Sequence, residues 1–481
     1  MLRTMLLAVV VALAATAVSA ATVTTNGGPL TGATENGIDV YRGIPYAAPP
    51  VGALRWQPPQ QPAPLWTTPR DATAFGPICP QHPTEGMLVR ANLPQSEDCL
   101  TLNVWTPPGA TNLPVMVWIH GGGFTQGTSS LPLFNGAALA HRGVVLVSFN
   151  YRVGRLGFFP HPALSDANFG LLDQIAALKW VQRNIAAFGG DPRNVTIFGE
   201  SAGGVSVEML MTSPLAKGLF AKAISESGGL FGSTAKIADA RKGALDFAAK
   251  LNAKDLATLR AINADDILKA DDGDDGPVID GRVLLEDPRD AFAAGHQLAI
   301  PFLAGSNSNE GAMLETNTEW VTKPFSNRIA DIRKTLYGND PDPLFGQHLF
   351  ADRFMAGPAD QLARAASAHA RTYVYNFGFL NARAHIRNET GVPHGGEMVF
   401  IFGFGTFAAF APPQDTGMSD TMQRYWTNFA KTGDPNGDNL PPWPKFEGPH
   451  PRTLVIDDTP HAVSDFRKPQ FDLVRTVKGG E

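Results

Sequence analysis

The sequence predicts an α/β protein: an open, mostly parallel sheet covered by helices on both faces. Three observations carry that expectation. Short apolar runs alternate with longer segments of helical spacing along the chain. The runs 115–120 and 143–150 are continuously apolar, as central parallel strands buried on both sides are. A strand over 195–199 passes through Glu200 and Ser201 directly into a helix over 202–211.

The elements follow in order. Residues 22–28 read as a short strand and turn, and 37–46 as a second of the same kind. A Pro-rich surface wrap covers 49–69. Strands are expected at 100–106, 115–120 and 143–150, then a helix over 170–188 that ends at Gly189-Gly190. A strand at 221–226 follows the strand–helix pair just described. Residues 237–269 read as helical and amphipathic, 301–305 and 371–379 as strands, 398–402 as a further strand, and 423–432 as a late helix. The acidic loop 271–276 is a poor calcium site: Gly273 stands where a ligand belongs, and Arg282 where the closing Glu belongs.

Composition sets wider bounds. At 481 residues, 43% hydrophobic and 17% charged, the chain has ample core material, and 49 Gly and 39 Pro scattered at turns imply many loops. A net charge of −6 with no long basic stretch gives no nucleic acid or anionic membrane partner. At the N-terminus, Arg3 precedes an apolar run over 6–18, and Val18-Ser19-Ala20 is a small-residue cleavage site. The run is short for a bilayer span, so residues 1–20 read as a signal peptide and 21–481 as a single domain that is secreted or periplasmic, with no membrane span after cleavage. The only cysteines are Cys79 and Cys99. Export permits a disulfide, which would add about 3 kcal/mol by closing a loop of this size; two free thiols are the other possibility. Neither Cys has zinc-site spacing, and no metal or cofactor is expected.

Two glycine-rich motifs carry chemistry. Gly199-Glu200-Ser201-Ala202-Gly203 fits G-x-S-x-G in the strand–turn–helix context that the α/β-hydrolase fold requires. A sharp turn there holds Ser201 strained and projects its Oγ at a helix N-terminus, where N–H groups and the dipole favour negative charge. His120-Gly121-Gly122-Gly123-Phe124 follows the strand 115–120, where main-chain N–H groups can be turned toward an oxyanion. A nucleophilic Ser needs a base, and the fold places an acid and then a His downstream. Among eleven histidines, His394 sits in a turn-rich loop, Gly391-Val392-Pro393-His394-Gly395-Gly396. His369 and His385 lie in helical or polar settings. Glu310, just beyond the strand 301–305, is a candidate acid beside its rivals Asp280 and Glu286.

These residues resemble the type-B carboxylesterase and cholinesterase family. The likeness includes Tyr41-Arg42-Gly43-Ile44-Pro45-Tyr46-Ala47, Glu97-Asp98-Cys99-Leu100-Thr101-Leu102-Asn103-Val104-Trp105, Asn150-Tyr151-Arg152-Val153-Gly154 and Tyr425-Trp426-Thr427-Asn428-Phe429, and it spans roughly residues 22–470. The resemblance implies a Ser201, Glu310 and His394 triad, with Asn309 replacing the family's Asp before the acid. It implies oxyanion donors at Gly122, Gly123 and Ala202, a Cys79–Cys99 disulfide, and supporting polar roles for Glu200 and Ser227. The Cys79–Cys99 loop contains no Trp, so the family's choline-binding aromatic is missing. Phe400, Phe402, Phe404, Phe407 and Phe410 are divided between lining an apolar pocket and ordinary core packing, with more than half expected in the core. The expected activity is hydrolysis of small to medium apolar carboxylic esters through an acyl-enzyme, falling at acid pH with an apparent pKa of roughly 6–7. A specialised esterase, lipase or amidase, and a non-catalytic binding protein, are the alternatives. The small-molecule ester is the only partner implied; the oligomeric state is left open.

Overall fold

A computed structural model describes residues 18–62, 65–82, 93–229, 234–271, 276–405 and 411–476. Most of the expected signal segment lies outside these residues, as do Asp272, Asp274, Asp275, Phe407 and Phe410.

The strands are β1 (Val18–Thr25), β2 (Gly28–Glu35), β3 (Ile38–Pro45), β4 (Arg70–Asp71), β5 (Thr101–Thr106), β6 (Leu113–Ile119), β7 (Val145–Phe149), β8 (Gly190–Glu200), β9 (Lys222–Glu226), β10 (Phe302–Asn307), β11 (Thr372–Phe377), β12 (Arg452–Ile456) and β13 (His461–Ser464). They form one sheet in the order β1-β2-β3-β5-β7-β6-β8-β9-β10-β11-β12-β13, with β4 paired to β2. The stretch from β7 to β12 is parallel throughout, while the remaining pairs along this order, at both edges, are antiparallel. The chain leaves β6 toward β7 on one side and returns to β8 on the other. The strand order therefore reverses between β6 and β8, and the C-terminal ends of those two strands flank a crevice where open α/β sheets bind ligands.

Both sheet faces are buried, and β6 shows why its sequence is apolar throughout. Val115, Val117 and Ile119 join one core with Leu171, Ile175, Leu178 and Val205 of the helices Phe169–Asn184 and Ala202–Thr212. Met116 and Trp118 point the other way, into a core with Met422, Tyr425, Trp426 and Phe429 of the helix Pro413–Thr432. A strand alternates its side chains with period two, so two covered faces demand apolar residues at every position.

Two expectations are corrected, and a third, the helical stretch 237–269, is resolved into separate helices. Met398–Phe402 is a helix, not a strand. A five-residue apolar run has no decisive period, and β12 already occupies the ladder position beside β11. The stretch 237–269 is three helices, Ile237–Lys250, Leu256–Ala261 and Ala264–Ala270. Asp255 caps the second through the Thr258 N–H and Asn263 the third through the Asp265 N–H, so each restart carries its own cap. The late helix begins at Pro413, well before 423. The sequence reading also passed over β2, β12, β13 and the helices between 319 and 367; those up to residue 356 bury a satellite core around Val321, Phe345, Leu349 and Phe354.

Candidate active site

The chain turns from β8 into the helix Ala202–Thr212 at Ser201, whose backbone has φ 58 and ψ −126. A non-glycine residue there is strained by about 1–3 kcal/mol, so the surroundings must enforce the turn. They do so through close backbone crossings. The Ser201 N–H donates to the Glu226 carbonyl at the end of β9 (2.9 Å). A Cβ at Gly203 would lie 2.0 Å from the Ile119 carbonyl oxygen, and one at Gly199 would lie 2.6 Å from the Gly203 backbone. Only glycines let strand, turn and helix approach this closely.

The glycine loop after β6 faces this turn. A Cβ at Gly121 would sit 3.0 Å from Ser201 Cβ and 3.1 Å from Glu200 Oε2, which places the loop against both residues. Its peptide planes are oriented by their carbonyls. The Gly121 carbonyl accepts from His120 Nδ1 (2.9 Å). The Gly122 carbonyl accepts from the N–H groups of Thr125 (3.2 Å) and Gln126 (3.1 Å). In a trans peptide the N–H points opposite to the carbonyl. The N–H groups of Gly122 and Gly123 are thereby turned away from the loop interior, and no acceptor for them or for Ala202 N–H occurs among the described residues. Burial lowers the His120 pKa to about 4, so its ring is neutral at physiological pH. That ring stacks on Tyr151 at 4.3 Å, and the Tyr151 hydroxyl donates to the His120 carbonyl (2.9 Å).

The third part is built from distant chain. Glu310 follows β10 and is wholly buried. Its Oε2 accepts from His394 Nδ1 at 2.6 Å, and its Oε1 accepts from Ser227 Oγ (2.6 Å) and the Asn307 N–H (2.5 Å). The loop bearing His394 is laced to the end of β10. Asn307 Nδ2 donates to the Pro393 carbonyl (3.0 Å), Val392 N–H to Ser308 Oγ (2.9 Å), and Asn309 N–H to the Val392 carbonyl (2.9 Å). The Asn309 side chain also donates to Thr390 Oγ1 (3.2 Å) and Gln347 Oε1 (3.3 Å), a task its amide performs and a carboxylate could not.

His394 Nε2 lies 3.2 Å from Glu200 Oε1, without the alignment of a hydrogen bond. No hydrogen bond joins Nε2 to Ser201 Oγ among the described residues, so the imidazole is tied at Nδ1 and open at Nε2. Burial opposes charge on this ring, but the carboxylates of Glu200, Glu310 and Glu397 outweigh it and raise the pKa to about 10. Two of those carboxylates are themselves displaced: burial raises Glu200, and burial with Glu200 and Glu310 raises Glu397 to about 8. Each proton they accept removes one charge that holds the imidazolium. The direction of the shift on the imidazole is upward from the ordinary histidine value.

The rival acids have other tasks. Asp280 Oδ1 accepts the N–H groups of Arg282, Val283 and Leu284 in a turn, and Glu286 pairs with His296 (2.6 Å) on the surface. Asp271 pairs with Arg155 at 3.6 Å, and no metal-holding cluster of His, Cys, Asp or Glu occurs among the described residues. Phe400 and Phe402 pack in the second core, Phe400 on Phe377 (5.3 Å) and Phe402 on Trp118 (5.1 Å), while Phe402 and the partly buried Phe404 also line a cavity with Ala138, Arg142 and Gly403. Cys79 and Cys99 form a disulfide. Sequence reasoning missed the buried carboxylates Glu397, whose charge acts on His394, and Glu226, which lies within reach of Glu397 and Glu200; the motifs around them gave no sign that folding would gather them.

The chain is similar to known esterases along most of its length. A family model described as the carboxylesterase family matches residues 19–338 and 345–474. The para-nitrobenzyl esterase of Bacillus subtilis is 39% identical, over 90% of this chain and 94% of that protein. The fumonisin B1 esterase of Sphingopyxis macrogoltabida is 37% identical, over 86% of this chain and 82% of its own. A solved structure of PNB esterase superposes with a TM-score of 0.81 at 36% identity, covering 94% of this chain and 99% of that one.

Proposed function

The chain belongs to the carboxylesterase family, with the α/β-hydrolase fold and carboxylic ester hydrolysis that this membership brings, and we propose that it works through Ser201, His394 and Glu310. The observation that carries the reading is the His394–Glu310 bond of 2.6 Å, beside the strained turn at Ser201. His394 Nε2 takes the Ser201 proton as Oγ attacks the ester carbonyl carbon, and the carbonyl electron pair moves onto oxygen. The N–H groups of Gly122, Gly123 and Ala202 stabilise that oxyanion; each such donor is worth about 3 kcal/mol in the transition state. His394 then protonates the leaving alcohol. Water repeats the sequence on the acyl-enzyme, releasing the acid and restoring Ser201. Glu310 keeps the Nδ1 proton in place and stabilises the imidazolium, while Ser227 holds the carboxylate. Protons and electron pairs balance among these groups and water, so the scheme needs no metal or cofactor.

The substrate class is small to medium apolar carboxylic esters. Hydrolysis of p-nitrophenyl esters from acetate to palmitate, beside Ser201→Ala, tests this. Short-chain turnover lost in the mutant is the expected result; turnover retained by Ser201→Ala would sink the triad.

Residues 1–20 are read as a signal removed on export, leaving 21–481 as one catalytic domain that is secreted or periplasmic. The buried Cys79–Cys99 disulfide supports this reading. Cleavage after Ala20 leaves Thr22–Thr25 paired with β2. No helix among the described residues is long and apolar enough to cross a membrane. The N-terminal residue of the exported protein checks the cleavage point: a start at Ala21 is expected.

A further inference from the structure

We propose that Gln81 is a positioning residue for the oxyanion loop: from the disulfide-closed segment, its carboxamide clamps Gly127 and so aims the Gly122 N–H. The inference rests on the reading of Gly122, Gly123 and Ala202 as oxyanion donors. It extends that reading to a residue far from the reacting atoms in sequence.

Gln81 is almost completely buried, at 1% exposure. Its Oε1 accepts from the Gly127 N–H (2.8 Å), while its Nε2 donates to the Gly127 carbonyl (3.0 Å) and to the Cys79 carbonyl (2.9 Å). One primary amide thus engages both main-chain groups of one residue, as a neighbouring strand would. Its own backbone is held in turn. The Gln81 N–H donates to Gln95 Oε1 (2.9 Å), Ile78 pairs with Pro94 and Ser96, and Cys79 is bonded to Cys99.

Gly127 is the contact through which this grip reaches the site. A Cβ there would lie 2.2 Å from the Gly121 carbonyl oxygen and 2.4 Å from His120 Nδ1. Gly127 therefore packs directly over the hydrogen bond that fixes the Gly121–Gly122 peptide, with no room for a side chain. That peptide's carbonyl is the Gly121 oxygen and its N–H is the Gly122 donor. Rotating it to release the carbonyl would turn the donor away from the oxyanion. The segment just beyond is anchored separately, because Asn150 Oδ1 accepts from the Ser129 N–H and Thr128 Oγ1. Losing Gln81 loosens the loop at Gly127 while Asn150 still holds 128–129. A residue that merely satisfies its own buried amide would affect stability; one that aims a donor must affect the transition state more than the ground state.

The test uses the full chain with Gln81→Met, which keeps the side-chain length and removes all three side-chain hydrogen bonds. Turnover of p-nitrophenyl butyrate is measured beside inhibition by a trifluoromethyl ketone and its non-fluorinated methyl ketone. The fluorinated compound forms a bond to Ser201 Oγ, passes the serine proton to His394 and presents an oxyanion; the plain ketone serves as the ground-state probe. The expected result is a fall in kcat of roughly 10–100-fold, with KM within about twofold. Inhibition by the trifluoromethyl ketone should weaken by the same factor and that by the methyl ketone should not. Unchanged kcat in the folded variant overturns the proposal, as does equal weakening of both ketones. Gln81→Glu provides a second decision if Gln81→Met does not fold. Its buried carboxyl, once protonated, regains a donor for the Gly127 carbonyl, so its kcat relative to wild type at the same pH should rise as pH falls. A pH-independent ratio overturns the proposal. Failure of the underlying reading is distinct: wild type would then bind the two ketones alike, or Ser201→Ala would keep its activity.

Discussion

The two halves of the proposed site are built by different means. Around Ser201 and the glycine loop the working groups are mostly main-chain, and their geometry is enforced by local crossings: Gly203 against Ile119, Gly121 against Ser201, Gly127 against His120. Around His394 and Glu310 the working groups are side chains whose positions depend on hydrogen bonds across more than eighty residues of sequence, such as Val392 to Ser308 and Asn307 to Pro393. The first half stores strain, at Ser201 φ 58, and is short of hydrogen-bond acceptors. The second stores charge: Glu200, Glu310 and Glu397 surround one imidazole. Backbone strain is tolerated where packing leaves no alternative, whereas a buried carboxylate needs donors or a proton.

The largest expected effect separates strain from chemistry in the first half. Ser201→Gly should lose on the order of 10⁴-fold or more in kcat, and its melting temperature should rise by roughly 1–3 °C because glycine accepts the positive φ. A calorimetric scan that shows a lower Tm would mean the turn is not strained by its side chain. Next, Glu310→Gln removes the charge that stabilises the imidazolium and should cost roughly 10³–10⁴-fold in kcat, read from steady-state kinetics with KM nearly constant. A loss below tenfold would assign the acid elsewhere.

The lacing is then broken without touching the reacting groups. Ser308→Ala combined with Asn309→Ala should lower kcat about tenfold and stability by about 1–3 kcal/mol in chemical denaturation, since buried partners are left unpaired. Wild-type kcat in that variant would show that the His394 loop holds itself. The smallest effect concerns pH. Anions beside His394 raise its pKa, and the neutral ring is the active form, so kcat/KM should rise with pH through a limb above 6.5. Glu200→Gln removes one anion, lowers the imidazole pKa and should move that limb toward acid by about one unit or more. No shift would show that Glu200 is already protonated over the working range, and a shift toward alkali would show that it does not act on the ring as an anion.

The first half of the site was legible in the sequence because its chemistry is contiguous. Gly199 to Gly203 and His120 to Gly123 each write a turn, a missing side chain and a set of N–H groups into adjacent residues, and the flanking apolar runs announce the strands that carry them. The parallel sheet with two covered faces was legible for the same reason, since period and apolar run length are local properties. His394 and Glu310 were visible only as candidates until the family resemblance singled them out. Asp280 and Glu286 are also carboxylates and lie in the same interval of chain, and the lacing by Asn307, Ser308 and Asn309 that separates them is a set of contacts between distant segments. Met398–Phe402 shows the same limit: a short apolar run suits a strand or a helix, and the place taken by β12 decided it.

The sequence by itself determined the parallel centre of the sheet, the strained turn at Ser201 and the glycine loop that faces it, because steric constraints act between neighbours along the chain. Only the tertiary structure decided how Glu310 is held against His394, which carboxylates raise the ring's pKa and what holds the glycine loop in place. Those outcomes depend on distances of a few ångströms between residues far apart in sequence, where desolvation and charge act through space.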